Sequence, residues 1–200
     1  MTTRIGILIF DDAEELDFVG PYEVFTMARF MEEGACETLL IAERDGPVRC
    51  AKGMTVLPHR TIADCGPLDV LLVPGGQGTR REVDNKPLLD WIATVAAKAR
   101  WVTSVCTGAM LLTAAGPARG KRVTTHWAFI EALKARGEAS EVLSHYRYVQ
   151  DGNVVTAAGV SAGIDMALWL IGQLYGIPFA RGVQKRMEYE PLPPYGGLTG

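Results

Sequence analysis

Hydrophobic positions along this 200-residue chain follow two alternating patterns. Short apolar runs occur at 4–10 (RIGILIF) and 69–73 (DVLLV), with further strands expected over 36–42 and over the β-branched run at 102–105 (VTSV). Runs of this length without polar alternation suit strands buried on both faces of a sheet. Between them lie apolar stripes at helical spacing. Pro21 fits a first helical position, followed by Val24, Phe25, Met27, Ala28 and Met31 on one side. A helix over 87–99 carries Leu88, Trp91, Ile92, Val95 and Ala99, and shorter ones are expected over 109–115 and 127–136, the latter stopping at Gly137. Ser161 is expected to cap a long apolar helix that ends at Gly176, and a last helix to run over 178–187. Lys52-Gly53 and Asp151-Gly152 mark hairpins within 48–60 and 146–157, and 122–125 reads as a short strand.

Strands alternating with helices predict an α/β fold, with a mostly parallel central sheet covered on both faces. One domain over 1–190 is expected, followed by an irregular Pro/Gly-rich tail over 191–200 (PLPPYGGLTG). Hydrophobic residues make up 48% and charged residues 22%, which is ordinary for a globular protein. A net charge of −3 with scattered basic residues argues against nucleic acid or an anionic membrane as partner. No apolar run is long enough to span a bilayer, and MTTRIGILIF lacks the cleavage site of a signal peptide. Four cysteines without a CxxC pair predict a reducing, cytoplasmic setting and no disulfide framework. His59, His126 and His145 are too far apart for a short metal-ligand motif, so no metal is expected.

The chemistry concentrates in 101–116 (WVTSVCTGAMLLTAAG). A β-branched run stops at Cys106, Thr107-Gly108 follow, and a helix begins. Such a strand–turn–helix is a nucleophile elbow: it lifts the thiol to the edge of the sheet and onto a helix amino end, where a negative charge is favoured. On that ground Cys106 should titrate below the free thiol value of about 8.5. The plainer reading is a small buried core cysteine. Gly75 and Gly76 follow the strand at 69–73. The amide of Gly76, paired with that of Thr107, is expected to point at the reacting atom and stabilise an anion; otherwise the pair is simply a tight turn. Asp17 closes an acidic loop over 11–17 and suits a general acid and base beside the thiol, with Glu14, Glu15 and Glu23 as rivals and a helix cap as the alternative. If both groups ionised they would repel, so one proton should be shared, raising one of the two pKa values. His126, in TTHW, is either a base for Cys106 or a structural residue at a strand end. Thr107 either positions water or the carboxylate, or caps the helix. Trp101, Trp127 and Trp169 are expected in the core or at an interface.

SVCTGAMLLTAAG followed by GKRVTTHW resembles the isocyanide hydratase branch of the PfpI-type, class I glutamine amidotransferase-like superfamily. LDFVGPYEVF, PLDVLLVPGG, RDGNVVTAAGVSAGIDMAL and VQKRMEYEPLPPY extend the resemblance over nearly the whole chain. It implies a flavodoxin-like three-layer sandwich, a homodimer and no cofactor. It also implies Cys106 as nucleophile, Asp17 as its acid/base partner, Thr107 after the nucleophile and Gly76 as the backbone donor. Peptidase- and glyoxalase-like branches carry His where this chain has Thr107, and glutaminases need a late His that is missing after His145. Related transcription regulators add a helix-turn-helix region that the sequence to Gly200 does not show, so direct DNA binding is not expected.

The resemblance therefore implies cysteine-dependent hydration of an isocyanide to an N-substituted formamide, through a thioimidate on Cys106. The rival expectation is a non-enzymatic ligand- or redox-sensing domain, in which an ionised, partly exposed Cys106 is oxidised reversibly.

Overall fold

The computed structural model describes residues 2–191. The expected tail over 191–200 lies, apart from Pro191, outside the described residues. In chain order the elements are β1 (Thr3–Leu8), α1 (Glu15–Met31), β2 (Cys36–Ala42), β3 (Val48–Arg49), β4 (Thr55–Val56), β5 (Arg60–Thr61) and β6 (Val70–Val73). Then come α2 (Thr79–Glu82), α3 (Lys86–Ala96), β7 (Trp101–Val105), α4 (Gly108–Ala115) and β8 (Arg122–Val123). The chain continues through a 3₁₀ turn (Trp127–Phe129), α5 (Ile130–Ala135), β9 (Glu141–Val142), β10 (Tyr148–Asp151), β11 (Val154–Ala157), α6 (Ala162–Tyr175) and α7 (Ile177–Arg186).

Among the described residues the main sheet has seven strands in the order β10-β11-β7-β6-β1-β2-β5. The β10–β11 hairpin is antiparallel and every other neighbouring pair is parallel. From β1 the chain crosses through α1 to β2 on one side, and from β6 it crosses through α3 to β7 on the other. Right-handed crossovers in opposite directions put α1 and α3 on opposite faces of the sheet. α6 and α7 pack with α1, and α4 packs with α3, which completes a three-layer α/β sandwich. The central strands are apolar on both sides for that reason: Ile5, Ile7, Leu71, Leu72, Val102 and Val105 are all buried.

Three local expectations are corrected. Pro21 lies inside α1, not at its start, because the helix already begins at Glu15 within the acidic loop. Ser161 precedes α6 but makes no side-chain cap; its hydroxyl accepts from Arg147 Nη2 at 3.2 Å instead. The expected strand over 122–125 is shorter and lies outside the main sheet, pairing in parallel with β9. The hairpin over 48–60 forms as β3–β4, while β5 leaves it to extend the main sheet beside β2. Trp101 and Trp169 pack edge to face, half-buried, whereas Trp127 is 81% exposed and no part of the core.

In doubly wound sheets ligands bind beyond the carboxyl ends of the strands, where the winding reverses. Here that point lies between β1 and β6. The loops after β1, β6 and β7 emerge side by side there and carry Asp17, Gly75-Gly76 and Cys106.

Candidate active site

Cys106 follows β7 directly and adopts φ 57°, a left-handed conformation costly for a side-chain-bearing residue. It is held there from both sides. Its N–H donates to the carbonyls of Ala157 (3.1 Å) and Ala158 (2.8 Å), and its own carbonyl accepts from the Thr125 hydroxyl at 2.8 Å. The TTHW segment therefore reaches the nucleophile through Thr125, a role sequence reasoning did not assign. α4 starts hard against β6: a Cβ on Gly108 would strike the Val73 carbonyl oxygen, so only glycine fits that position. The elbow predicted from the sequence is thus present, with Gly108 needed for close approach of two backbones.

Asp17 belongs to the first turn of α1 and is fully buried, at 0% exposure. It caps nothing. Oδ2 accepts from the Gly75 N–H at 2.8 Å. Oδ1 is buried without a hydrogen bond, and the Cys106 thiol and the Val160 N–H are polar neighbours of the carboxyl. A Cβ on Gly75 would fall against the Thr107 amide nitrogen and within 2.9 Å of Asp17 Oδ2, so the three loops leave no room for a side chain there. Of the rivals, Glu14 lines the same cavity but is paired with Lys52, Glu15 Oε1 accepts from the Lys52 N–H at 2.6 Å, and Glu23 is exposed.

Burial pushes the Asp17 carboxyl up to about 7, and the charge of Glu14 adds to this; the Gly75 amide, the thiol and the Val160 amide pull the other way. Burial, followed by the Asp17 charge, pushes the Cys106 thiol up to about 12 against the pull of the Thr107 amide and hydroxyl. The sequence-based expectation of an easily ionised thiol is therefore overturned. Desolvation at 7% exposure works against the helix terminus at the sulfur, and burial is the largest cause of elevation for both groups of the pair.

Gly76 also departs from expectation. Its N–H is not bare; it donates to Thr107 Oγ1 at 3.0 Å, so it is not aimed at a reacting atom in this state. Gly76 has φ 116° and bridges to Ala13, which fixes the loop after β6 against the loop after β1. Thr107 Oγ1 is 3.1 Å from the Thr79 hydroxyl, which donates to the Gly76 carbonyl at 2.8 Å. Thr107 thus ties the nucleophile turn to the glycine loop. Its own N–H meets no backbone carbonyl among the described residues and lies at the sulfur, which leaves it as the available anion donor.

The sulfur opens into a cavity of about 240 Å³, lined by Glu14, Gly76, Gln77, Arg80, Thr107, His126, Ala128, Phe129 and Val160. His126 Nδ1 accepts from the Ala128 N–H at 3.2 Å. The His126 side chain caps the 3₁₀ turn that starts at Trp127 and also lines the cavity beside Cys106. Among the described residues, no His, Cys, Asp and Glu side chains gather in a group able to hold a metal ion. All four cysteines are free and buried.

The DJ-1/PfpI family model matches residues 3–173, and the chain belongs to that family. It is 40% identical to an isonitrile hydratase of Pseudomonas putida over 195 residues, 98% of this chain and 82% of that protein. It is 27% identical to the HTH-type transcriptional regulator GbdR of Pseudomonas aeruginosa, covering 94% of this chain but 51% of the regulator. A crystal structure of a THiJ/PfpI family protein from Pseudomonas syringae superposes with a TM-score of 0.88 at 31% identity, over 100% of this chain and 80% of that one.

Proposed function

We propose that this chain is an isocyanide hydratase converting R–NC and water to R–NH–CHO. The observation that carries the reading is the fully buried Asp17 carboxyl next to the Cys106 thiol. The similarity to an isonitrile hydratase over nearly the whole chain supports it.

Net addition of a thiol to an isocyanide places both sulfur and hydrogen on the same carbon. Asp17 as carboxylate takes the thiol proton as sulfur bonds to the terminal carbon, then returns that proton to the carbon. The product is the thioimidate Cys–S–CH=N–R. Asp17 next takes a proton from water as its oxygen adds to this carbon, and passes the proton to nitrogen. The tetrahedral species Cys–S–CH(OH)–NH–R collapses as its C–S bond breaks; the hydroxyl proton returns to sulfur and the formamide leaves. A carboxyl with a pKa of about 7 suits a group that accepts and donates in the same cycle. The Thr107 amide at the sulfur favours the charge that develops there.

This reading places the chemistry in a single domain over 1–190 acting in the cytoplasm, and a homodimer goes with it. No described helix is long and apolar enough to cross a membrane. The sensing alternative calls for reversible oxidation of Cys106 in place of turnover. The test is formamide production from an isocyanide by wild type, Cys106→Ala and Asp17→Asn. Turnover by wild type alone supports the reading, and turnover that survives Cys106→Ala sinks it.

A further inference from the structure

One charged group at the Cys106 cavity has no opposite charge beside it. Arg80, on α2, is exposed at its edge and lines it together with Cys106, Thr107, His126 and Phe129. Its guanidinium carbon lies 4.8 Å from the centroid of the Phe129 ring. Nη1 donates to the Gly76 carbonyl at 2.8 Å and to the Thr79 hydroxyl at 3.2 Å. The next residue behaves differently: Arg81 is ion-paired with both Asp12 and Glu82. Among the described residues Arg80 has no carboxylate at ion-pair distance, and its Nε and Nη2 make no hydrogen bond to the protein. The other fully charged residue lining the cavity, Glu14, is engaged by Lys52.

A guanidinium held over an aromatic face and anchored by one nitrogen has little freedom left to lose on binding. Its remaining N–H groups form the planar fork that matches a carboxylate. We propose that Arg80 is the specificity-determining residue of this site, and that the substrate is an isocyanide bearing a carboxylate. The free edge of Arg80 holds the carboxylate while the terminal isocyanide carbon meets the Cys106 sulfur. The cavity volume of about 240 Å³ lies below the usual range for larger ligands, which fits a compact isocyano acid. This inference rests on the hydratase reading above.

The test compares isocyanoacetate with its neutral analogue isocyanoacetamide in wild type, Arg80→Met and Arg80→Lys. Wild type should favour the carboxylate by about tenfold in kcat/KM, mostly through KM. Arg80→Met should bring that ratio to about one, and Arg80→Lys should fall between, since it keeps the charge but not the fork. Rising salt should narrow the wild-type preference, because the guanidinium is exposed. Equal use of both substrates by wild type, or an equal loss on both in Arg80→Met, would overturn the proposal and leave Arg80 as a prop for Gly76. If wild type turned over neither, the hydratase reading would fall. Calorimetry with N-formylglycine and N-formylglycinamide would then judge the anion subsite alone. Preferential binding of the acid by wild type but not by Arg80→Met upholds the subsite, and its absence removes it.

Discussion

The Gly75 amide donates to Asp17 Oδ2 at 2.8 Å, joining residues 58 apart in sequence. That bond fixes one oxygen of a carboxyl that neighbours the Cys106 thiol. A methyl group on Gly75 would collide with the Thr107 backbone and press on Asp17 Oδ2. Gly75→Ala should therefore destabilise the protein by about 1–3 kcal/mol through overpacking, and should lower isocyanide turnover more than stability alone explains. Urea denaturation alongside the formamide assay checks both; a variant with wild-type turnover would show that the contact does not position Asp17.

Asp17→Asn removes the proton acceptor and the charge that opposes thiolate formation. Turnover should fall by about 10²- to 10⁴-fold. The Cys106 pKa should move down from about 12, since the Asp17 charge is its second largest cause of elevation after burial. Thiolate absorbance against pH reads this shift. A thiol that titrates higher in the variant would contradict the assigned electrostatics.

The raised Asp17 pKa makes stability and activity depend on pH in opposite senses. Between its unfolded value of 3.8 and its folded value of about 7, the native protein holds a proton that the unfolded chain has released. The native state then binds more protons, so unfolding free energy falls as pH rises across that window, by on the order of 4 kcal/mol. The stabilisation is complete below the unfolded pKa and lost by the time pH passes the folded one. Catalysis needs the deprotonated carboxyl, so kcat/KM should climb through pH 7. Denaturation midpoints and rates measured from pH 4 to 8, with Asp17→Asn as reference, test both slopes; a native state that gains stability towards pH 8 relative to that variant would refute the assignment.

Thr107→Val keeps the shape but removes the oxygen that accepts from the Gly76 N–H at 3.0 Å. The cost should be about 1–3 kcal/mol for an amide left without its partner, and Thr107→Ser should recover most of it. The same pair separates structure from chemistry. If Thr107 acts only by holding the glycine loop, kcat/KM should track stability across the two variants.

With Nδ1 accepting from the Ala128 amide, the N–H of the His126 ring should lie on Nε2. Nitrogen NMR shifts of the labelled ring report the tautomer directly. A hydrogen found on Nδ1 alone would contradict that bond.

Much of this architecture was legible because it is local. Runs such as VLLV and CETLLIA declare buried strands without reference to anything distant, and the turn at Cys106 follows from a β-branched run meeting Thr-Gly. The start of α1 was misplaced because Pro21 is a strong start signal, yet a helix tolerates it inside when the chain is otherwise committed. The thiol was misjudged for a different reason. A helix terminus can be read from spacing, but the desolvation that overrides it depends on every loop that closes over the sulfur. Arg80 was passed over for the same reason: nothing in GQGTRRE says which of two adjacent arginines meets Phe129 and which meets Asp12.

The bonds that hold the Cys106 amide come from Ala157 and Ala158, more than fifty residues further along the chain. During synthesis the sulfur emerges long before the strand that bends it into place, and longer still after the carboxyl it will share a proton with. Until β11 docks, the elbow lacks its outer support and Cys106 is an ordinary thiol on an unfinished chain. The strained turn is therefore a late property of the growing polypeptide, and a product truncated before residue 157 would carry the cysteine without the bonds that hold its amide.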